Sequence, residues 1–252
     1  MDRREMIKKA GAAFMGASVM GIPAFGQDNA NNVSTNGKKK KLVVVGAHPD
    51  DPESCCGGTM LAFRNAGCEV VSIYMTKGEA GIKGKTHDES AAIRVKEATN
   101  ACKVLDVKPV FLTQIDGSCE ITKERYTEMK EAIAAEKPDI VITHWPIDSH
   151  PDHRVCSSLV YDAWRRLGYT FELYYMEAMT GLQSQSFFPT DYVNISDFAD
   201  KKREALFCHT SQDPADWVDD WHGGMEKFRG REIACKNAEA FVHLKRVKSD
   251  IK

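Results

Sequence analysis

Leu42-Val43-Val44-Val45-Gly46-Ala47-His48-Pro49-Asp50-Asp51-Pro52-Glu53 begins as four apolar residues and ends as one imidazole among three carboxylates. The apolar run is rich in β-branched residues and closed by a glycine, the pattern of a strand buried on both faces of a parallel sheet. In open α/β sheets the reactive groups stand just past the carboxyl ends of such strands. A second cluster, His150-Pro151-Asp152-His153, follows another apolar run, Asp139 to Thr143. Two His/Asp clusters, each at the exit of a predicted strand, point to a metal site assembled from two loops.

Working outward, strands are expected at Lys41–Val45, Glu69–Met75, Val110–Leu112, Asp139–Thr143, Phe171–Met176 and Tyr192–Ile195. Helical periodicity marks Met60–Ala66, opened by Gly57-Gly58-Thr59, then His87–Leu105, Thr122–Glu136 and the stretch from His153 to Leu167. A further helix is expected from a Ser196 cap through Cys208, and the tail from Asp213 to Leu244 reads as mostly helical. Strands alternating with helices at this spacing predict an α/β fold, a Rossmann-like three-layer sandwich with a mostly parallel sheet and helices on both faces. Residues 41–252 read as one domain.

The N-terminus reads as a separate segment. Arg3-Arg4 and further base precede an uncharged small-and-apolar run from Ala10 to Phe25, with small residues at Ala24 and Gly26. The run is shorter than the roughly 20 apolar residues a membrane span needs. Residues 1–26 are therefore expected to be a cleaved twin-arginine-type export signal, making the protein periplasmic or extracellular. Residues 27–40, rich in Asn, Ser, Thr and Lys, read as a flexible linker. The signal carries four Lys/Arg and two Asp/Glu, so its removal moves the net charge from −2 to −4. No basic face of the density nucleic acid requires is evident, and no membrane span is expected. The eight cysteines are scattered without a C-x-x-C pair, which argues against a disulfide framework.

His48 and Asp51 stand three residues apart on a turn and can converge on one ion, while Asp50 between them points elsewhere and can take a proton from water. In the second cluster, one of His150 and His153 can ligate while the other polarises a carbonyl, with Asp152 holding an imidazole in its tautomer.

These motifs carry a resemblance. GAHPDDPE at Gly46–Glu53 and HPDH at His150–His153 resemble the paired signatures of the PIG-L/LmbE family of zinc-dependent N-deacetylases. Thr76–Gly81, Arg94 within AAIRVKEA, Phe111–Gly117 and Ala238–Phe241 are similar too, so the likeness spans residues 41 to 244. The resemblance implies Zn²⁺ on His48, Asp51 and His153, with Fe²⁺, Co²⁺ or Mn²⁺ as alternatives that N/O ligands do not strongly reject. It implies Asp50 as general base, His150 as oxyanion stabiliser, and Asp152 as the residue orienting a histidine. Arg94 and Asp116 match positions that contact substrate hydroxyls. Some members place a tyrosine before the second motif as an acid; Asp148 and Ser149 stand there here, leaving Tyr74, Tyr174 and His209 as other donors to test against the fold.

The implied reaction is removal of an N-acetyl group from an amino sugar or its conjugate, with a small-molecule or glycan partner. Two other readings are an amidase of a larger sugar or thiol conjugate and a secreted carbohydrate-binding protein with a vestigial metal site. Trp145, Trp217, Trp221 and His222 are candidates for a sugar-stacking rim.

Overall fold

The computed structural model describes residues 39–179 and 181–246; the expected export signal and nearly all of the expected linker lie outside them. Strand β1 (Lys41–Gly46) leads through helix α1 (Asp51–Asn65) to β2 (Glu69–Tyr74), then α2 (His87–Leu105) and β3 (Lys108–Phe111). Helix α3 (Lys123–Glu136) returns the chain to β4 (Ile140–His144), and α4 (Pro151–Arg166) leads to β5 (Glu172–Met176). Strand β6 (Asp191–Asn194), α5 (Ala199–Leu206), α6 (Gly223–Glu232) and β7 (Ala238–His243) complete the described chain.

Among the described residues the strands form one sheet in the order β3-β2-β1-β4-β5-β7-β6. The ladders from β3 to β5 are parallel, and β7 runs antiparallel to both β5 and β6. The period-two geometry of a strand explains why β1 is apolar from Leu42 to Val45. Leu42 and Val44 enter a core with Met60 of α1, Ala98 of α2 and Ala205 of α5, whereas Val43 and Val45 face Met129 of α3 and Leu159 of α4. Helices therefore cover both faces, as expected.

Topology places the site. The chain steps from β1 outward to β2 and β3, then returns to the other side of β1 as β4. Between β1 and β4 the order reverses, and a crevice opens there at the carboxyl ends of the strands. Both His/Asp clusters exit into it. Pro52 and Pro151 sit in the first turns of α1 and α4, where a missing N–H costs nothing. Gly46 lets the two elements turn tightly: a Cβ there would stand 2.7 Å from Pro52 Cδ and 2.8 Å from Asp51 Cβ.

Three expectations are corrected. Helix α1 begins at Asp51, so Gly57 and Gly58 lie inside it rather than at its start. Their role is packing and anchoring: a Cβ on Gly58 would lie 2.5 Å from Ile195 Cγ2, and the amides of Gly58 and Thr59 donate to the buried Glu239 carboxylate at 2.9 and 2.7 Å. Ser196 does not cap α5, whose N-cap is Phe198; its hydroxyl instead donates to Asn194 Oδ1 at 2.6 Å. The tail is helical over much of its length, as expected, but the glycines at 223, 224 and 230 do not break it: short 3₁₀ and π turns precede α6, α6 runs through all three glycines, and the chain ends in a strand, β7, that fills the gap between β5 and β6. Ala238-Glu239-Ala240 has helix-forming composition, but β6 pairs with it along its backbone, β5 pairs with the residues that follow, and Lys202 pairs with its charge.

All eight cysteines are free thiols, in line with their scattered spacing. Among the described residues no helix is long and apolar enough to cross a membrane.

Candidate active site

Asp50 is the N-cap of α1 and adopts φ 107°, ψ −28°, a conformation that costs a non-glycine residue of order 1–3 kcal/mol and persists only where its surroundings impose it. Its backbone carbonyl accepts from Ser54 N at 2.8 Å, and its carboxylate accepts from Arg94 Nη2 at 2.7 Å. Arg94 also donates to Pro49 O. Gly78, at φ +72°, packs beneath that guanidinium, where a Cβ would stand 2.5 Å from Arg94 Cδ. Burial raises the Asp50 pKa, and Arg94 opposes the rise without cancelling it.

His48, Asp51 and His153 come together as expected. Asp51 Oδ2 lies 3.3 Å from His48 Nδ1, and Asp51 Oδ1 lies 3.3 Å from His153 Nε2. The outer nitrogens are each taken by other carboxylates. His48 Nε2 lies 3.2 Å from both Asp116 Oδ1 and Asp152 Oδ2, and His153 Nδ1 lies 3.3 Å from Asp148 Oδ1. A ring nitrogen whose proton is held by a carboxylate leaves its opposite lone pair facing inward, the pattern of metal-binding histidines. The inner nitrogens, His48 Nδ1 and His153 Nε2, both face Asp51, where a bound cation would replace the ring protons. Burial opposes charge on His48 and His153, but the carboxylates outweigh it and raise both, His153 to about 9. Asp51 moves the other way: burial is outweighed by His153 and His144, which hold it well below the usual carboxylate range. Such a cluster of mutually charged ligands suits a divalent cation.

His150 is the N-cap of α4, and its Nδ1 accepts from Asp152 N at 3.2 Å. That bond puts the ring proton on Nε2. Burial, then the charges of His48 and His153, lowers its pKa, so it stands as a neutral donor. The carboxylate of Asp152 does orient a histidine, and the histidine is His48; it also accepts from Gly117 N at 2.7 Å. Burial is outweighed by these bonds, which bring Asp152 down to about 2. Asp116 joins Asp152 at His48 and accepts from Ala80 N at 3.3 Å.

One residue escaped the sequence reading. His144 ends β4, is fully buried, stacks on His153 at 3.8 Å between ring centroids, and has Nε2 3.1 Å from Asp51 Oδ2. Burial, then the His153 charge, brings its pKa down to about 4. Its signal was a histidine closing an otherwise apolar strand at the carboxyl end. Among the described residues, Asp51, His144 and His153 bring one ligand atom each within 4.8 Å of one another, as do His48, His150 and His153, and His48, Asp116 and Asp152.

The other proton-donor candidates separate. Tyr74 is buried, its hydroxyl donating to Glu53. Tyr174 donates to Glu172, at the opposite end of β5 from the site. His209 is fully buried with Nε2 3.8 Å from Glu53 Oε1. Trp145 does not reach the site: it packs edge-on against Tyr175 and Phe187.

Two cavities meet at the cluster. A polar one of about 350 Å³ is lined by His48, Asp50, Arg94, Asp116, His150 and Gln212. The other, of about 260 Å³, starts at Asp50, Asp51 and His153 and extends to Trp217, Trp221 and His222. Burial, then the Lys202 charge, pulls His222 down to about 3 from 6.5. The unfolded chain therefore binds a proton there as pH drops below 6.5, while the folded chain does not until about pH 3. That contribution to stability is present above pH 6.5 and is lost as pH falls. His222→Phe is expected to flatten the decline of Tm between pH 6.5 and 4; an unaltered slope would remove this assignment.

The comparisons with known proteins agree with this geometry. The sequence model of the family described as GlcNAc-PI de-N-acetylase (PIG-L) matches residues 43–164. A probable N-acetyl-alpha-D-glucosaminyl L-malate deacetylase 2 of Bacillus cereus is 30% identical over 214 residues, covering 81% of this chain and 97% of that one. The diacetylchitobiose deacetylase of Thermococcus kodakarensis is 29% identical over 197 residues, 72% of this chain and 73% of that one. The solved structure of N,N'-diacetylchitobiose deacetylase from Pyrococcus horikoshii, complexed with an inhibitor, superposes with a TM-score of 0.71 at 26% identity, covering 81% of this chain and 84% of that chain. With the two His/Asp motifs converged at the sheet's switch point and a 30% identical relative matched over nearly its whole length, this chain belongs to the PIG-L family of deacetylases.

Proposed function

We propose that this protein is a zinc-dependent hydrolase that removes the N-acetyl group from an amino sugar or its conjugate, with His48, Asp51 and His153 as the metal ligands. The observation carrying this reading is the inward convergence of His48 Nδ1 and His153 Nε2 on Asp51, with both outer nitrogens held by carboxylates. When bound, the metal supplies polarisation of the amide carbonyl and lowers the pKa of water from ~15.7 toward ~7.

The chain's own residues do the rest. Asp50, raised by burial and steadied by Arg94, accepts the proton of the attacking water. His150 donates its Nε2–H to the oxyanion that forms on the former carbonyl oxygen; losing one such donor typically costs ~10²–10³ in rate. Asp50, now protonated, returns the proton to the departing nitrogen, so that the amine leaves uncharged rather than as an amide anion. Asp152 and Asp116 hold His48 in its tautomer, and Asp116 and Arg94 line the polar cavity that would take the sugar. The arginine pair and apolar run of residues 1–26 support export; an intact N-terminus in a cytoplasmic fraction would overturn that part.

The test is acetate release from a panel of N-acetylated mono- and oligosaccharides by the metal-loaded protein. Release abolished by a chelator and restored by zinc is expected. Zinc bound at one equivalent with no release from any sugar would sink the deacetylase reading in favour of a binding role.

A further inference from the structure

The reaction centre has a second cavity that deacetylation does not need. An acetyl group presents only a methyl beyond the carbonyl, with about the volume of one water, ~30 Å³. The cavity on the His153 side measures about 260 Å³, larger than the ~150 Å³ apolar cavity that holds a benzene molecule. It shares Asp50 and Gln212 with the polar cavity, so the two adjoin at the residue proposed as general base. An amide has two substituents, and the cavities differ in the way the substituents of an N-acyl amino sugar differ.

The far wall is made of Ala178, Met179, Trp217, Trp221 and His222. It holds no ionised group: the charges, Asp50 and Asp51, lie at the end nearest the metal ligands, and His222 is neutral at ordinary pH. Most polar side chains in this cavity are already engaged; His222 Nδ1 is buried there without a hydrogen-bond partner. Ser54 Oγ donates to Asp51 O at 3.2 Å, the Gln183 amide lies 3.2 Å from His153 Nδ1, and Gln212 Nε2 donates to Gly81 O at 3.2 Å. A sugar ring placed there would find few partners for its hydroxyls, and burying a hydroxyl without a partner is unfavourable. An alkyl chain would lose nothing.

We propose that this cavity is an acyl-side subsite, and that the enzyme hydrolyses N-acyl amino sugars whose acyl chain is longer than acetyl, of four to six carbons. The proposal rests on the deacylase reading above. The reaction remains one of water: the C–N bond breaks, the water oxygen bonds to the acyl carbon, and the products are a short-chain carboxylate and the protonated amine. No further reactant is required.

The test is amine release by the metal-loaded full chain from N-acetyl-, N-butyryl- and N-hexanoylglucosamine. KM is expected to fall by about fourfold per added methylene until the cavity is filled, following the hydrophobic gain of a buried methylene. Met179→Trp, which narrows the cavity from a half-buried position, should reduce the hexanoyl-to-acetyl ratio of kcat/KM at least tenfold. Acetyl cleavage with the longer acyl groups cleaved tenfold worse or not at all would overturn the subsite while leaving deacetylation intact. A ratio that responds to lengthening the sugar instead would assign the cavity to carbohydrate and likewise overturn it. Should no substrate be cleaved, the deacylase reading falls, and quenching of tryptophan fluorescence decides the subsite. Hexanoate acting at a tenfold lower concentration than acetate upholds a chain-binding cavity, and equal potency overturns it.

Discussion

Asp50→Asn is expected to keep its metal and lose ~10²–10⁴ of kcat, the usual contribution of a positioned general base. The substitution is nearly isosteric, and asparagine tolerates positive φ better than most residues, so the φ 107° backbone survives. Arg94 can still donate to the amide oxygen. What disappears is the carboxylate proposed to take the water proton and return it to the amine. Metal content measured on the same preparation separates this outcome from ligand loss: Asp51, His48 and His153 are untouched, so stoichiometric metal with collapsed turnover is the expected pair. Near-normal turnover would remove the base assignment. Loss of metal together with activity would make Asp50 a ligand.

The second large effect is on stability. Lys202→Met should destabilise the fold by about 3–5 kcal/mol, because removing one partner of a buried ion pair leaves an uncompensated charge. Lys202 Nζ lies 2.7 Å from both Glu226 and Glu239, and all three residues are buried. Burial opposes its charge, but the two carboxylates outweigh it and raise its pKa. Glu239 would keep only the amides of Gly58 and Thr59, and Glu226 would lose its cation. The midpoint of urea unfolding should fall accordingly with little change in slope, while the exposed neighbour Lys201→Met should stay within ~0.5 kcal/mol of the parent protein. Equal midpoints for the two variants would show that the triad is energetically neutral. The triad ties α5, α6 and β7 to α1, the helix whose first turn carries Asp51, so a loosened triad would also be felt at the proposed metal ligands.

What could be read from the chain alone was whatever is encoded within a few residues. The apolar run of β1 ending in Gly46, the periodicity of α2 and the strand–cluster–helix order at His150 each repeat a local pattern with one structural solution, and together they determined a parallel core with His48, Asp51 and His153 at one rim. Alternation of strands and helices then left β1 and β4 side by side at the switch point, which is why two clusters about a hundred residues apart in sequence could be read as one site.

The tertiary structure decided everything that depends on a distant partner. Ala238–His243 becomes a strand because β5 and β6 flank it, although its composition favours a helix. Arg94 grips Asp50, a residue 44 positions away, as well as lining the sugar-side cavity. Asp152 turns out to hold His48 rather than the adjacent His150. His144 had no motif around it, and only burial against His153 and Asp51 brings it to the site. The acyl-side cavity is the furthest case, since its walls come from the end of β5 and the turns after α5. Sequence periodicity reports which face of an element is buried, through the two- and 3.6-residue repeats; the identity of the group opposite that face is a property of the folded chain.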